Sequence, residues 1–260
     1  MVAYEVGLAI VLSVAYASTA AAEVKNIDRT LPLNANGTVA LEAHNGSIEI
    51  RTWDRPEVEV HVRIEWLGLS ASSYRYRETT VDVGGTADRV SIRWNSPDRY
   101  GWTLWSLFDG SWSYPEVRYT ITTPKTARLD IRNHNARTDI RDVSASVRIG
   151  THNGAVRVAN LAGPLDLSMH NGWARVDYAA FSDATHIATH NGVVELALPS
   201  ASRFNLDSHG HHMQVQSDFS VTARASYGRW SSRGVSGSVN GGGPDLQVSA
   251  HNGSLRLRSK

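Results

Sequence analysis

The sequence predicts an all-β protein, a short-rung β-solenoid (β-helix) with Asn-Gly corners along one edge. Three observations predict it. His-Asn-Gly recurs five times, at His44, His152, His170, His190 and His251. Two degenerate copies, His134-Asn135-Ala136 and His209-Gly210-His211, fall in phase, so the starts at 134, 152, 170, 190 and 209 are spaced by 18, 18, 20 and 19 residues. A tripeptide returning on that beat marks one supersecondary unit stacked on copies of itself. The flanks alternate apolar and polar, as in Val147-Arg-Ile-Gly-Thr before His152 and Ala155-Val-Arg-Val after Gly154. That is the period-two pattern of a half-buried strand. Asn-Gly between such runs also signals a hairpin, and hence an antiparallel meander. The even beat favours the stack, because a meander has no reason to keep the same residues at every second turn.

Taken in chain order, residues 1–22 read as an export signal. Val6 to Ala17 is a short apolar run and Ala20-Ala21-Ala22 gives a small-residue cleavage pattern before Glu23, although the segment before the run carries Glu5 and no Lys or Arg. The run is shorter than the ~20 residues of a membrane span, so no stable span is expected in the mature chain. Residues 23–260 read as a single solenoid domain. The first rung surrounds Asn45-Gly46. Residues 55–125 carry no copy of the tripeptide, and strands such as Val58 to Trp66 and Glu116 to Thr123 read as a cap of longer antiparallel strands. Residues 126–260 hold the regular repeats, with corners at Asn153-Gly154, Asn171-Gly172, Asn191-Gly192 and Asn252-Gly253. At each corner Gly is expected to supply a positive φ, which Asn tolerates beside it. A Gly/Ser-rich stretch over 226–245 interrupts the beat before the last rung.

Composition narrows the function classes. The 260-residue chain has a formal net charge of +1, which gives no electrostatic case for nucleic acid. It has no cysteine, so disulfides and thiolate metal sites are excluded. No phosphate-binding glycine loop, Gly-x-Ser-x-Gly elbow or His-Glu-x-x-His helix is present. Asp130, Asp166 and Asp207 are expected to pair across strands with Arg132, Arg148 and Arg175.

Two groups of side chains are candidates for binding. Counting outward from each corner places the histidines on the polar face, so stacked rungs would align His44, His134, His152, His170, His190, His209 and His251 about 4.8 Å apart. Imidazole suits Zn, Cu and Ni, with His152, His170, His190, His209, His211 and His212 as candidate ligands. The same column arises if the corner simply favours that ring. The second group is Trp102, Trp105 and Trp112, in a segment without strand alternation. Trp clusters of this kind mark binding surfaces, and the bland alternative is a plug over the end of the stack.

The opening Leu41-Glu-Ala-His-Asn-Gly-Ser-Ile-Glu-Ile50, the Thr122-Thr-Pro124 lead-in, the serial Asn-Gly rungs and the Gly241-Gly-Gly-Pro-Asp-Leu246 ending together resemble the bacterial exported family of putative adhesins of unknown function. The resemblance runs over most of residues 38–260 and implies a β-solenoid in the cell envelope. The persistent histidine departs from the Ser-Asn-Gly or Thr-Asn-Gly typical of that family. The expected function is a non-enzymatic scaffold, without cofactor, contacting an envelope protein or glycan in the periplasm or at the cell surface. The alternatives are metal binding through the histidines and a solenoid enzyme acting on polysaccharide.

Overall fold

The structure, a computed structural model, describes residues 23–66, 78–95, 115–223 and 234–260. It is nearly all β. The strands are β1 (Glu23–Pro32), β2 (Thr38–Trp53), β3 (Glu57–Trp66), β4 (Thr80–Thr86), β5 (Arg89–Asn95), β6 (Glu116–Pro124), β7 (Arg128–Arg141), β8 (Val147–Leu161), β9 (Leu165–Tyr178), β10 (Thr185–Leu198), β11 (Phe204–Ser217), β12 (Thr222–Ala223), β13 (Gly234–Val239) and β14 (Asp245–Ser259). They form one sheet, whose main path runs β1-β3-β6-β2-β7-β8-β9-β10-β14-β11-β13-β12.

Seven of these strands, β2, β7, β8, β9, β10, β14 and β11, carry the tripeptide or its variants and pair in parallel. Antiparallel hairpins at the corners are thereby ruled out. Register follows the motif: Asn45 aligns with Asn135, Asn153 with Asn171, Asn171 with Asn191, and Asn191 with Asn252. Each strand runs unbroken through its corner and so has two arms. In β8 the first arm buries Val147, Ile149 and Thr151 and the second buries Val156 and Val158. The alternation changes phase at the corner, which lets both arms feed one apolar cluster. Stacking turns each inward position into a column, such as Leu41, Ile131, Ile149, Leu167, Ile187 and Val248. Each fully buried aliphatic side chain contributes about 1.5–3 kcal/mol from its removal from water.

The ends of the stack depart from expectation. Beyond β2 the two arms continue separately, β5 pairing with Thr38–Glu42 and β6 with Gly46–Trp53. β4 pairs antiparallel with β5, and β3 and β1 extend antiparallel from β6. These cap strands are 7 to 10 residues long, against 14 to 16 for the rungs. Among the described residues the cap is therefore built of shorter strands, not longer ones, because a rung counts as one strand through its corner. At the other end, β14 lies between β10 and β11, so the rungs do not stack in chain order. β13 covers the first arm of β11, Phe204 to His209, and β12 pairs with β13. Part of the 226–245 stretch is thus strand.

Candidate functional site

The corner is built by close backbone approach. Gly46 and Gly172 have φ of 112° and 138°, which glycine alone adopts at low cost. Gly154, Gly192 and Gly253 do not lie in that region, so a positive φ at every corner is not the common cause. What they share is crowding from the neighbouring rung. A Cβ would lie 2.6 Å from the Ala136 carbonyl oxygen at Gly154, 3.1 Å from that of Gly172 at Gly192, and 2.3 Å from that of Gly192 at Gly253.

The asparagines clamp the same edge. Asn135 donates its Nδ2–H to Asn45 Oδ1 (3.2 Å), Asn153 to Asn135 (2.8 Å), Asn171 to Asn153 (2.9 Å), Asn191 to Asn171 (3.0 Å) and Asn252 to Asn191 (2.9 Å). In β7, where Ala136 replaces glycine, the buried Asn133 supports the corner. Its Oδ1 accepts from the Ala136 N–H (3.2 Å) and the Thr151 hydroxyl (2.7 Å), and its Nδ2 donates to Thr138 Oγ1 (3.2 Å).

Beside the asparagines runs a column of stacked imidazoles. Ring centroids are separated by 5.1 Å from His44 to His134, 4.8 Å to His152, 4.6 Å to His170, 4.8 Å to His190 and 4.8 Å to His251. Trp94 stacks on His44 at 4.6 Å and closes that end. At the far end the ring over His251 is His211, at 5.4 Å. His209 is not in the column: it aligns with Ser249 and lies 4.0 Å from Asp207. Because His212 aligns with Asn252 and Met213 with Gly253, the degenerate copy in β11 is His211-His212-Met213. His209 and His211 are both exposed, so alternation alone could not choose between them.

Stacking governs what the rings can do. Neighbouring planes from His44 to His251 lie within 2–16° of parallel, and imidazole lone pairs lie in the ring plane. Successive nitrogens therefore point side by side instead of converging. Two ligands of one zinc ion, each at about 2.1 Å, lie at most about 4.2 Å apart. Among the described residues no group of three or more His, Asp or Glu side chains is placed to hold one ion. His211 and His212 meet edge to face, 4.6 Å apart at 71°.

The column separates two surfaces. On the first-arm side, Gly150, Ser168 and Ala188 floor an open trough of about 570 Å³, with Arg132 at one end. On the second-arm side, Trp173 and Val193 are 39% and 42% exposed, and the Arg157 guanidinium lies 5.9 Å from the Trp173 ring centre. Sequence reasoning took Trp173 as one more strand residue. The signal was its place directly after Gly172, where the phase change turns the side chain outward. Trp102, Trp105, Trp112 and the apolar run at 1–22 lie outside the described residues.

The charged residues pair less uniformly than expected. Arg148 donates across strands to Asp166 at 3.0 Å, but Arg132 lies 3.9 Å from Asp130 in its own strand. Arg175 faces Glu195 at 3.7 Å, and Asp207 accepts from the Ser236 hydroxyl at 2.8 Å.

No protein-family model matches the chain, and no curated protein matches it in sequence. Among solved structures, it is similar to a putative cell adhesion protein from Clostridium sporogenes, with 11% identity, a TM-score of 0.48, and coverage of 92% of this chain and 100% of that one. A putative adhesin from Bacteroides fragilis is similar at 9% identity and a TM-score of 0.33, covering 91% and 97% of the two chains. A putative lipid binding protein from Parabacteroides distasonis has 9% identity and a TM-score of 0.27, covering 89% and 96%.

Proposed function

We propose that the chain is an exported, non-enzymatic β-solenoid of the bacterial cell envelope, an adhesin-like scaffold of residues 23–260 that contacts another macromolecule. The in-register parallel stack carries this reading. It repeats one corner, with its imidazole and its flanking surfaces, along a rigid edge. Side chains held on paired strands need little further ordering when a partner docks, which lowers the entropic cost of association.

The test is binding of the purified chain 23–260 to isolated envelope fractions. Saturable retention by a membrane or cell-wall fraction, without shortening of its polysaccharide, is the expected result. Absence of saturable binding, or depolymerisation of the glycan, would overturn the reading. A Trp102/Trp105/Trp112→Ser variant then shows whether that segment contributes to the contact. Export predicts a processed chain beginning at Glu23 outside the cytoplasm.

A second reading is a Zn, Cu or Ni site at His211 and His212. It is favoured by their edge-to-face meeting, which turns the His212 ring out of the array that His211 ends. Zinc that raises the melting temperature of the wild type, but not of His211→Gln/His212→Gln, would support it.

A further inference from the structure

We infer that the outward face of the second arms, centred on Trp173, binds an acidic polysaccharide. This deepens the envelope-scaffold reading and rests on it for the setting of the partner.

The charge pattern is the first reason. The acids on this face are each engaged: Glu49 by Arg51, Asp139 by Arg141, Glu195 by Arg175, Asp218 by Arg258 and Asp177 by Lys260. Among the described residues, that leaves Arg137, Arg157 and Arg256 without an ion pair within 4.0 Å: Arg157 aligns with Asp139 and Arg256 with Glu195, but those carboxylates are held by Arg141 and Arg175. These three surround the exposed Trp173–Val193 pair. Arg157 aligns with Arg175, two positions beyond the Trp173 register, and its guanidinium approaches the Trp173 ring. Arg137 and Arg256 come from rungs on either side. Guanidinium groups at the surface that make no ion pair suit carboxylates, which they hold by paired hydrogen bonds. The flat indole offers an apolar surface on which a sugar ring can lie.

Extent is the second reason. Arg137 is on β7 and Arg256 on β14, four strand spacings apart, or about 19 Å at about 4.8 Å per spacing. A single small anion cannot reach both, whereas a chain of charged sugars laid along the stack can. The surface is also poor in the apolar area of a protein interface. Trp173 and Val193 are its exposed large hydrophobic side chains, and Val24 lies on β1. A stable protein partner would need a broader apolar centre.

Titration calorimetry with alginate, a polyuronate, tests this, with neutral dextran and poly-glutamate as comparison polymers. The wild type is expected to bind alginate saturably, dextran not measurably, and poly-glutamate at least tenfold more weakly than alginate. Trp173→Ser should weaken alginate binding at least tenfold. Arg137→Gln/Arg157→Gln/Arg256→Gln should weaken it similarly and flatten its salt dependence. Arg148→Gln, on the first-arm face, should leave it unchanged. All these side chains are at the surface, and unchanged thermal melts confirm intact folds. Poly-glutamate binding equal to alginate, or insensitivity to Trp173→Ser, would overturn the inference in favour of a non-specific anionic or acidic-protein contact. Failure to bind alginate while an envelope fraction is still retained refutes this inference alone. Failure of both refutes the scaffold reading as well.

Discussion

The corner glycines separate two reasons for one residue type. Gly172 combines a positive φ with a Cβ position 1.9 Å from the Gly154 carbonyl oxygen. Gly150, one rung earlier and four positions before its own corner glycine, has open space where a Cβ would go. Gly172→Ala is therefore expected to destabilise the protein by on the order of 3 kcal/mol or more, from backbone strain and overpacking together. Gly150→Ala should stay within about 0.5 kcal/mol of wild type. Equal denaturant midpoints for the two variants would refute the account. The Asn-Gly pair was legible in sequence because two residues tolerant of a positive φ recur together on the 18–20-residue beat. The reason for glycine was only half legible. The approach of a carbonyl from another rung depends on a neighbour 18 or more residues away, which local turn chemistry does not encode.

At the scale of elements, the cap strand β3 holds β1 through a pair that responds to pH. The His61 ring lies against Asp28 of β1 (2.6 Å) and Glu59 of its own strand (3.3 Å). The hydrogen bond to Asp28 is the largest cause of a His61 pKa raised above its usual value; burial opposes it, and the charges of Glu59 and Asp28 add smaller upward contributions. With the folded value raised, the pair contributes fully below the unfolded value near 6.5 and is lost as pH rises through the folded value. The two side chains are 48% and 68% exposed, so solvent screening leaves an effect of about a few tenths of a kcal/mol. Hydrogen exchange should show β1 amides better protected at pH 6 than at pH 8, after correction for intrinsic rates. Asp28→Asn should remove most of that difference, and an unchanged difference would exclude the pair as its cause. The alternation of Val58 to Trp66 made β3 itself legible, but the partner of His61 was not, because strand order is set by packing and not by local pattern. The phase of β11 was misread for a related reason: His209 and His211 share a face, and only alignment with β14 distinguishes them.

Across the whole molecule, the repeat beat made the parallel register legible from β7 to β10, where each rung follows its predecessor by 18 or 20 residues. The beat could not reveal that β2 joins β7 across 90 residues, or that β14 joins β10 across 61. Both joins place a complete His-Asn-Gly rung beside another rung of the same register, and identity of sequence cannot rank one such neighbour over another. The charge pattern around Trp173 was equally hidden. Arg137, Arg157 and Arg256 come from three rungs, and the chain between them gives no sign that they share a face.

The place of β14 imposes an order in time. A chain emerging from its N-terminus can complete β7 to β10 from short-range joins, each closing a small loop. β11 comes next in sequence, yet both of its neighbours, β13 and β14, emerge after it, so this end of the stack has to wait for residues 234–259. In pulse-labelled refolding, β11 amides should gain protection together with those of β14, after β7 to β10. If β11 is protected before β14, the chain closes this end first and must reopen it to admit β14.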